Sequence, residues 1–515
     1  MKIKRFHLGI AVAAWTALAI LMLAGIVPAR AQQLGSITFA TSGAPAAQSA
    51  FLEGVKDLHS FEFDEAAEAF QKAQAADPGF AMAYWGEAMS FNHPLWAEVN
   101  VERAKKALEK LAPTPEERVA KAKTQKEKGY LDAVNQLFYT PGDKLARDNA
   151  YSQAMAHMYG QWPEDHEVAI FYALSLLGVV RPGDKGFRRQ ALAASIAMKV
   201  WQENPSHPGA PHFIIHAFDD PDHAILALPA ARAYAKIAPS APHALHMPSH
   251  IFVQLGMWQD LANSNIAAYA AAEALIERMH LPEGREDFHT LSWLEYANLM
   301  MGKFDEAKKN VDLAKAADER NPGNRNVHEG YLGMRARYIL ETAQWEKIPL
   351  EAPAASTDKD GGRYPNNGTW IFIAGMSAAK MGDAATADQA AAQLGAMRER
   401  TEAEGNTYAA KPFAIMEKEL GALAQLARGQ KDDAARLAKD AAEIDLTLGA
   451  PSGPPQPIKP ALELYGDVLL EAGRSKEAAA AYEQELLRTP NRTPSVKGLA
   501  HAKGKSDTRA ASGPS

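Results

Sequence analysis

No cysteine occurs among the 515 residues. Disulfides, iron–sulfur clusters, thiolate zinc sites and cysteine nucleophiles are therefore excluded. Any metal has to be held by histidine, carboxylate, methionine or backbone oxygen, a donor set that points to zinc, copper, iron or nickel. The chain also lacks a glycine-rich phosphate loop, a GxSxG elbow and any nucleotide, flavin or haem signature. Strand patterning is weak, which argues against a central sheet. Beyond the N-terminal segment, no run approaches the ~18 apolar residues of a membrane span.

The first 31 residues read as an export signal. Lys2, Lys4 and Arg5 precede a long apolar run, and Ala29-Arg30-Ala31 has the small residues of a cleavage site. The expectation is a signal peptide over 1–31, a mature start at Gln32, and a periplasmic or secreted protein. If the segment stayed uncleaved, its apolar run would anchor the chain to a membrane. The segment carries four positive charges and no negative ones. Its removal leaves 51 Lys+Arg against 62 Asp+Glu, a net charge of −11. That balance argues against nucleic acid as a partner.

What remains is Ala-rich and helical in period. In 47–80, Gly54, Ala66, Phe70, Ala73 and Pro78 fall at the spacing of a tetratricopeptide repeat (TPR). Small residues let two antiparallel helices approach, the aromatic fills the gap between them, and the proline ends the second helix. Residues 459–492 repeat the pattern with Gly466, Ala478, Tyr482 and Pro490. A turn glycine followed five residues later by alanine recurs at Gly302/Ala307, Gly382/Ala387, Gly429/Ala434 and Gly473/Ala478. The expected fold is all-α, an α-solenoid of antiparallel helix pairs in a TPR-like superhelix. The expected organisation is a TPR-like helical region over 32–348 carrying the histidines and a polar loop over 349–369. A second TPR-like region over 370–502 and a disordered tail over 503–515 follow. Arg181–Gly186 reads as a turn, and the proline-rich 450–460 leads extended into the last repeat.

The phrases DPGFAMAYWGEAMSFNHPLW, HPGAPHFIIHAFDDP, HALHMPSHIFVQLGMW and KPALELYGDVLLEAGR…RTPNR resemble a group of exported bacterial tetratricopeptide-repeat proteins, usually named only for their repeats. The resemblance spans most of the mature chain and is most specific in the two histidine phrases. It implies fold and export, and carries no reaction or ligand with it.

Chemistry concentrates in one window. Seven of the sixteen histidines lie between His207 and His250. His212 and His216 stand four apart, as do His246 and His250, and residues four apart share a helix face. The HFIIH phrase lacks the glutamate of HExxH, so the metalloprotease mechanism built on that motif does not apply. Asp219, three residues after His216, is placed to ligate or to orient an imidazole. His243, His246 and His250 fall at i, i+3 and i+7, one stripe if the segment is continuously helical. Pro248 is comfortable only in a first turn, so a helix is expected to start near Met247 with His246 at its mouth. His93 in FNHPLW and His289 in EDFHTLSW are further candidates. The expected metal set is thus His212, His216, His246 and His250 converging on one pocket, with Asp219 and His93 or His289 as further ligands or directly behind the ligands, holding a divalent metal (Zn, Cu or Fe). Trp85, Trp96, Trp258 and Trp293 bracket the histidine segments and could floor a pocket. His59 fits an ordinary repeat position, and His207 and His223 flank turns, which reads as exposure. Each histidine also has a plainer reading, a ring packed in a core. Together these features predict an exported TPR-type binding or scaffold protein with a protein or peptide partner and a histidine-lined metal site in its concave pocket. The alternative is a metal-dependent enzyme, a hydrolase or oxygenase, using the same cluster.

Overall fold

The computed structural model describes residues 33–504 apart from 182, 185, 283 and 352–364. Residues 1–31, expected to be a signal peptide, most of the 349–369 loop, two residues of the 181–186 turn and all but the start of the tail lie outside the described residues.

The first part of the chain forms α1 (Pro45–His59), α2 (Phe63–Ala76) and α3 (Ala81–Met89). A two-residue antiparallel ribbon follows, β1 (Asn92–His93) with β2 (Glu98–Val99). Next come α4 (Val101–Glu109), α5 (Pro115–Lys121), α6 (Gln125–Tyr139), α7 (Lys144–Gln161), α8 (His166–Gly178) and α9 (Arg188–Glu203). The histidine segment folds as α10 (Gly209–Ala217), α11 (Ala224–Ile237), α12 (Pro242–His246) and α13 (Pro248–Gln254). It is followed by α14 (Trp258–Met279), α15 (Phe288–Met300), α16 (Phe304–Arg320) and α17 (Arg325–Thr342). The last part holds α18 (Pro365–Lys380), α19 (Ala384–Ala403), α20 (Thr407–Ala427), α21 (Lys431–Asp445), α22 (Ala461–Glu471), α23 (Ser475–Arg488) and α24 (Thr493–Ala502). Each of the long helices packs on its successor, so the architecture is an α-solenoid of antiparallel pairs. Among the described residues, no helix is long and apolar enough to cross a membrane.

Aromatic wedges between glycines hold the pairs together. Phe70 is fully buried, and a Cβ placed on Gly54 or Gly86 would lie 3.0 or 2.3 Å from its ring. Tyr482 sits in the same way between Gly466 and Gly498, at 2.7 and 2.3 Å. Burying such a ring contributes roughly 1.5–3 kcal/mol, and only a residue without a side chain leaves room for it. The turn glycines behave as their spacing predicts. Gly302, Gly382, Gly429 and Gly473 have φ of 71°, 87°, 79° and 77°, and the alanines five residues on are completely buried. The left-handed turn folds the second helix of each pair back, and the alanine sits where the two helices meet.

A plain solenoid would leave its C-terminal end in contact only with its neighbour, and this chain departs from that. Trp258 Nε1 donates to Asn491 O at 3.1 Å, and Thr493 Oγ1 donates to Met300 O at 2.5 Å. Arg492, fully buried, pairs with Glu463 and with Glu341 at 2.8 and 2.6 Å. The proline-rich segment before α22 lies against α13 and α15. Gln254 Nε2 donates to Pro451 O at 2.9 Å, and a Cβ on Gly453 would meet the Trp293 ring at 2.5 Å.

Candidate metal centre

Three helical pieces bring six histidines together. The α10 helix carries His212 and His216 one turn apart, as i,i+4 spacing requires. The second piece is α12 with α13. They meet at Met247, whose φ of −53° and ψ of −35° are themselves helical, so the histidine stripe is nearly continuous across the boundary. Pro248 starts α13 as expected, and His246 ends α12. The third piece is α15, whose second residue is His289.

The six divide into two groups of three. In one, ligand atoms of His212, His216 and His243 all lie within 4.8 Å of one another. In the other, those of His246, His250 and His289 do so. The sequence stripe 243/246/250 therefore serves both groups. Seven residues of helix advance roughly 10 Å, too far for one ion to span, so His243 joins the α10 pair and the other two face His289. His243 was visible in the sequence as part of the stripe, but nothing in the spacing said that it pairs with α10.

Hydrogen bonds turn the rings so that Nε2 points inward. His212 Nδ1 donates to the carbonyl of His59 at 2.6 Å. His246 Nδ1 donates to Asn265 Oδ1 at 2.7 Å, and that amide is oriented by its own donation to Leu261 O. His250 Nδ1 donates to Asp219 Oδ2 at 2.7 Å, and Gln254 holds the other carboxylate oxygen. A neutral imidazole that donates from Nδ1 has a bare lone pair on Nε2. The inward atoms then crowd one another. His212 Nε2 lies 3.1 Å from His216 Nε2 and 3.2 Å from His243 Nε2, and His246 Nε2 lies 3.0 Å from His289 Nε2. Burial lowers the His212 pKa to about 3 and pushes His216, His243 and His246 well below the ordinary value, with the neighbouring histidines adding to the shift. Both effects favour the uncharged ring.

Aromatic rings wall the two groups. Phe61 lies 4.4, 5.7 and 5.4 Å from the His212, His216 and His243 rings. Trp293 lies 5.1, 4.5 and 5.4 Å from His246, His250 and His289. Phe61 occupies a left-handed backbone position with φ of 58°. It precedes the buried Ala66 by five residues, the offset at which the other turns carry glycine. A bulky side chain there costs roughly 1–2 kcal/mol, and its ring is what closes one side of the first triad. The sequence signal for this residue is the missing turn glycine of the first repeat.

The remaining candidates fall elsewhere. Asp219 stands behind His250 and orients it, with its oxygens turned to His250 Nδ1 and to Gln254. His93 is on β1, stacked on Phe63 at 4.0 Å, and belongs to neither triad. Of the tryptophans, Trp293 lines the site and Trp96 reaches its edge, 5.9 Å from His243. Trp85 lies in the core of the first repeats, and Trp258 in the C-terminal junction.

His207 corrects the sequence reading, and His59 adds to it. Both are fully buried: His207 is not exposed at its turn, and His59, at the end of α1, faces inward. Their Nε2 atoms lie 2.7 and 3.2 Å from the two carboxylate oxygens of Glu167. Burial alone would raise that carboxyl, but the two histidines hold it down to about 2. Here the carboxylate fills the space between the rings, so hydrogen bonding accounts for the group. Its link to the centre is the His59 carbonyl, which fixes His212. His223 is half-buried against Phe187 at 3.8 Å.

A groove of about 500 Å³ opens beside the first triad. Phe61, Phe63 and His93 line it together with carboxylates, Glu62, Asp64, Glu65 and Glu98, and with the cations Arg103 and Arg285, the latter paired with Asp64 at 3.5 Å.

No family model and no curated protein matches the chain. Solved structures do. The TPR domain of P58(IPK) is 12% identical, with 90% of this chain and 99% of that one covered and a TM-score of 0.21. Yeast Tom70 is 10% identical over 88% and 87%, with a TM-score of 0.33. Human IFIT1, solved as a dimer with m7Gppp-AAAA, is 12% identical over 87% and 91%, with a TM-score of 0.32. The fold is tetratricopeptide-like. That statement rests on the glycine–aromatic wedges and left-handed turns of the helix pairs.

Proposed function

We infer that this is an exported TPR-type binding protein that holds metal on its histidine centre, beside a groove that takes a protein or peptide segment. One observation carries the metal reading. His212 offers a single Nε2 lone pair while two other Nε2 atoms approach it at 3.1 and 3.2 Å. Hydrogen bonds between neutral rings satisfy one of those approaches, and a cation shared by the three lone pairs satisfies both. The all-imidazole donor set, freed inward by acceptors behind the rings, suits zinc, copper or iron.

Metal analysis of protein purified without a histidine tag is the direct test, together with melting in the presence of each metal. Binding to the folded form alone should raise the melting temperature. His216→Ala and His250→Ala should each reduce that shift without unfolding the array. A metal-free protein whose melting is indifferent to Zn²⁺, Cu²⁺ and Fe²⁺ would return the histidines to packing residues and leave the scaffold reading alone. Export is tested separately, by finding Gln32 at the N-terminus of the native protein.

A second reading, a metal-dependent enzyme, draws on Phe61. Strained backbone concentrates at functional sites, and here it shapes the wall between the first triad and the groove. Turnover that disappears with the metal would favour it over carriage or scaffolding.

A further inference from the structure

We propose that the histidine centre is dinuclear and holds two neighbouring copper ions, one on His212, His216 and His243 and the other on His246, His250 and His289. The proposal rests on the metal reading above and says how many ions bind and of what kind.

The count follows from geometry. A first-row ion binds imidazole nitrogen at about 2.0–2.1 Å, so nitrogens sharing one ion lie within about 4.2 Å of each other. Each triad satisfies that internally for its closest pairs, at 3.0–3.2 Å between Nε2 atoms. The two triads also have separate supports. The first is held by the His59 carbonyl and walled by Phe61, whereas the second is held by Asn265 and Asp219 and walled by Trp293. They are neighbours nonetheless. Across the divide, the His216 and His250 ring centroids are 6.0 Å apart, and those of His243 and His246 are 6.3 Å apart.

The choice of copper follows from charge and donor type. Each triad offers three neutral nitrogens. Two divalent ions would place four positive charges in a site where, among the described residues, the one carboxylate bonded to a triad imidazole is Asp219, behind His250, while Glu62 accepts from the His243 backbone N–H. Monovalent copper halves that charge and accepts three imidazoles without a fourth ligand. Among divalent first-row ions, copper also binds nitrogen sites most tightly.

The test uses the full-length mature protein without a tag, stripped of metal and titrated anaerobically with Cu(I) against a chromophoric chelator. Two equivalents are expected. His216→Ala and His289→Ala, each changing a histidine that is not fully buried, should bind one equivalent each while keeping the helical circular dichroism. After oxidation, wild type should give less than two spins of isolated Cu(II) signal by electron paramagnetic resonance, because neighbouring ions couple, and each variant should give close to one. A single equivalent in wild type would overturn the dinuclear assignment and leave the metal reading standing. Two equivalents with a full, uncoupled two-spin signal would overturn the neighbouring pair. Two equivalents of zinc with no copper retained would overturn the metal assigned, and no binding of any of the three metals would overturn the reading beneath it.

Discussion

Replacing Gly86 by alanine tests how the helix pairs are held. Alanine in a helix interior is favoured over glycine by about 0.8–1 kcal/mol, so propensity alone predicts a more stable protein. The packing predicts the opposite. A Cβ on Gly86 would stand 2.3, 2.4 and 2.4 Å from three atoms of the Phe70 ring, about 1 Å inside ordinary contact. The ring cannot retreat freely. It is fully buried, Phe51 lies 5.8 Å away centroid to centroid, and Gly54 packs so near that a Cβ there would lie 3.0 Å from the ring. Overpacking of this kind typically costs 1–3 kcal/mol, and the larger clash here should outweigh the propensity gain, for a net loss of about 1–2 kcal/mol. Urea denaturation read by circular dichroism and by hydrogen exchange in α1–α3 measures it. Gly160→Ala is the control, since nothing lies within 4 Å of that position, and it should be neutral or slightly stabilising. Phe70→Leu makes room, so the double variant with Gly86→Ala should be less destabilised than the two single losses added, by at least about 0.5 kcal/mol. If Gly86→Ala is as stable as the control, or the two changes simply add, the wedge does not hold the pair.

Three further outcomes are expected. Asp219→Asn should weaken metal binding roughly 10–100-fold, as loss of an orienting carboxylate does elsewhere, with unchanged helicity; undiminished affinity in a chelator competition would mean His250 needs no support. The metal-free protein should lose stability as pH falls below about 6.5, by up to about 1.4 kcal/mol per pH unit for each of His212, His216, His243 and His246, which burial holds uncharged. His212, held at about 3, takes up its proton only in the unfolded chain, so a urea midpoint that stays flat between pH 7 and 5 would contradict this. Asp57, whose carboxyl burial raises to about 8 with help from Glu65 and Glu53, works in the other direction. Its ordinary unfolded value is near 3.8, so it costs stability as pH rises from about 4 to 8. Asp57→Asn should therefore raise the melting temperature at pH 8 and change it little at pH 4.

The repeat architecture was legible because its physics is local. Gly54, Ala66 and Phe70 sit at fixed offsets within one helix pair, and the spacing of small and aromatic residues encodes which faces meet. The i,i+4 histidine pairs were legible for the same reason. What spacing does not encode is the relation between helices. His243 lies on the stripe of His246 and His250, yet its partners come from α10, and only the packing of α10 beside α12 decides that. His59 and His207 looked ordinary because Glu167, the group that makes their burial tolerable, lies more than 100 residues from one and 40 from the other. Phe61 was hidden differently. Its left-handed backbone violates the rule by which the other turns were recognised.

The contacts of Trp258, Met300 and Tyr296 with residues 491–493 have a kinetic meaning. A repeat array held only by adjacent pairs can nucleate anywhere and grow one unit at a time. This chain must also bring together residues separated by 193–236 positions. Loop-closure entropy for such separations is met before the contacts return anything, and non-local contacts of this kind slow folding. The junction around α15 should therefore be among the last parts to form. Its helix carries His289 and Trp293, so in a newly made chain the second triad would mature after the first. A metal that arrived early would find the first triad whole, on α10 and α12, before His289 completed the second.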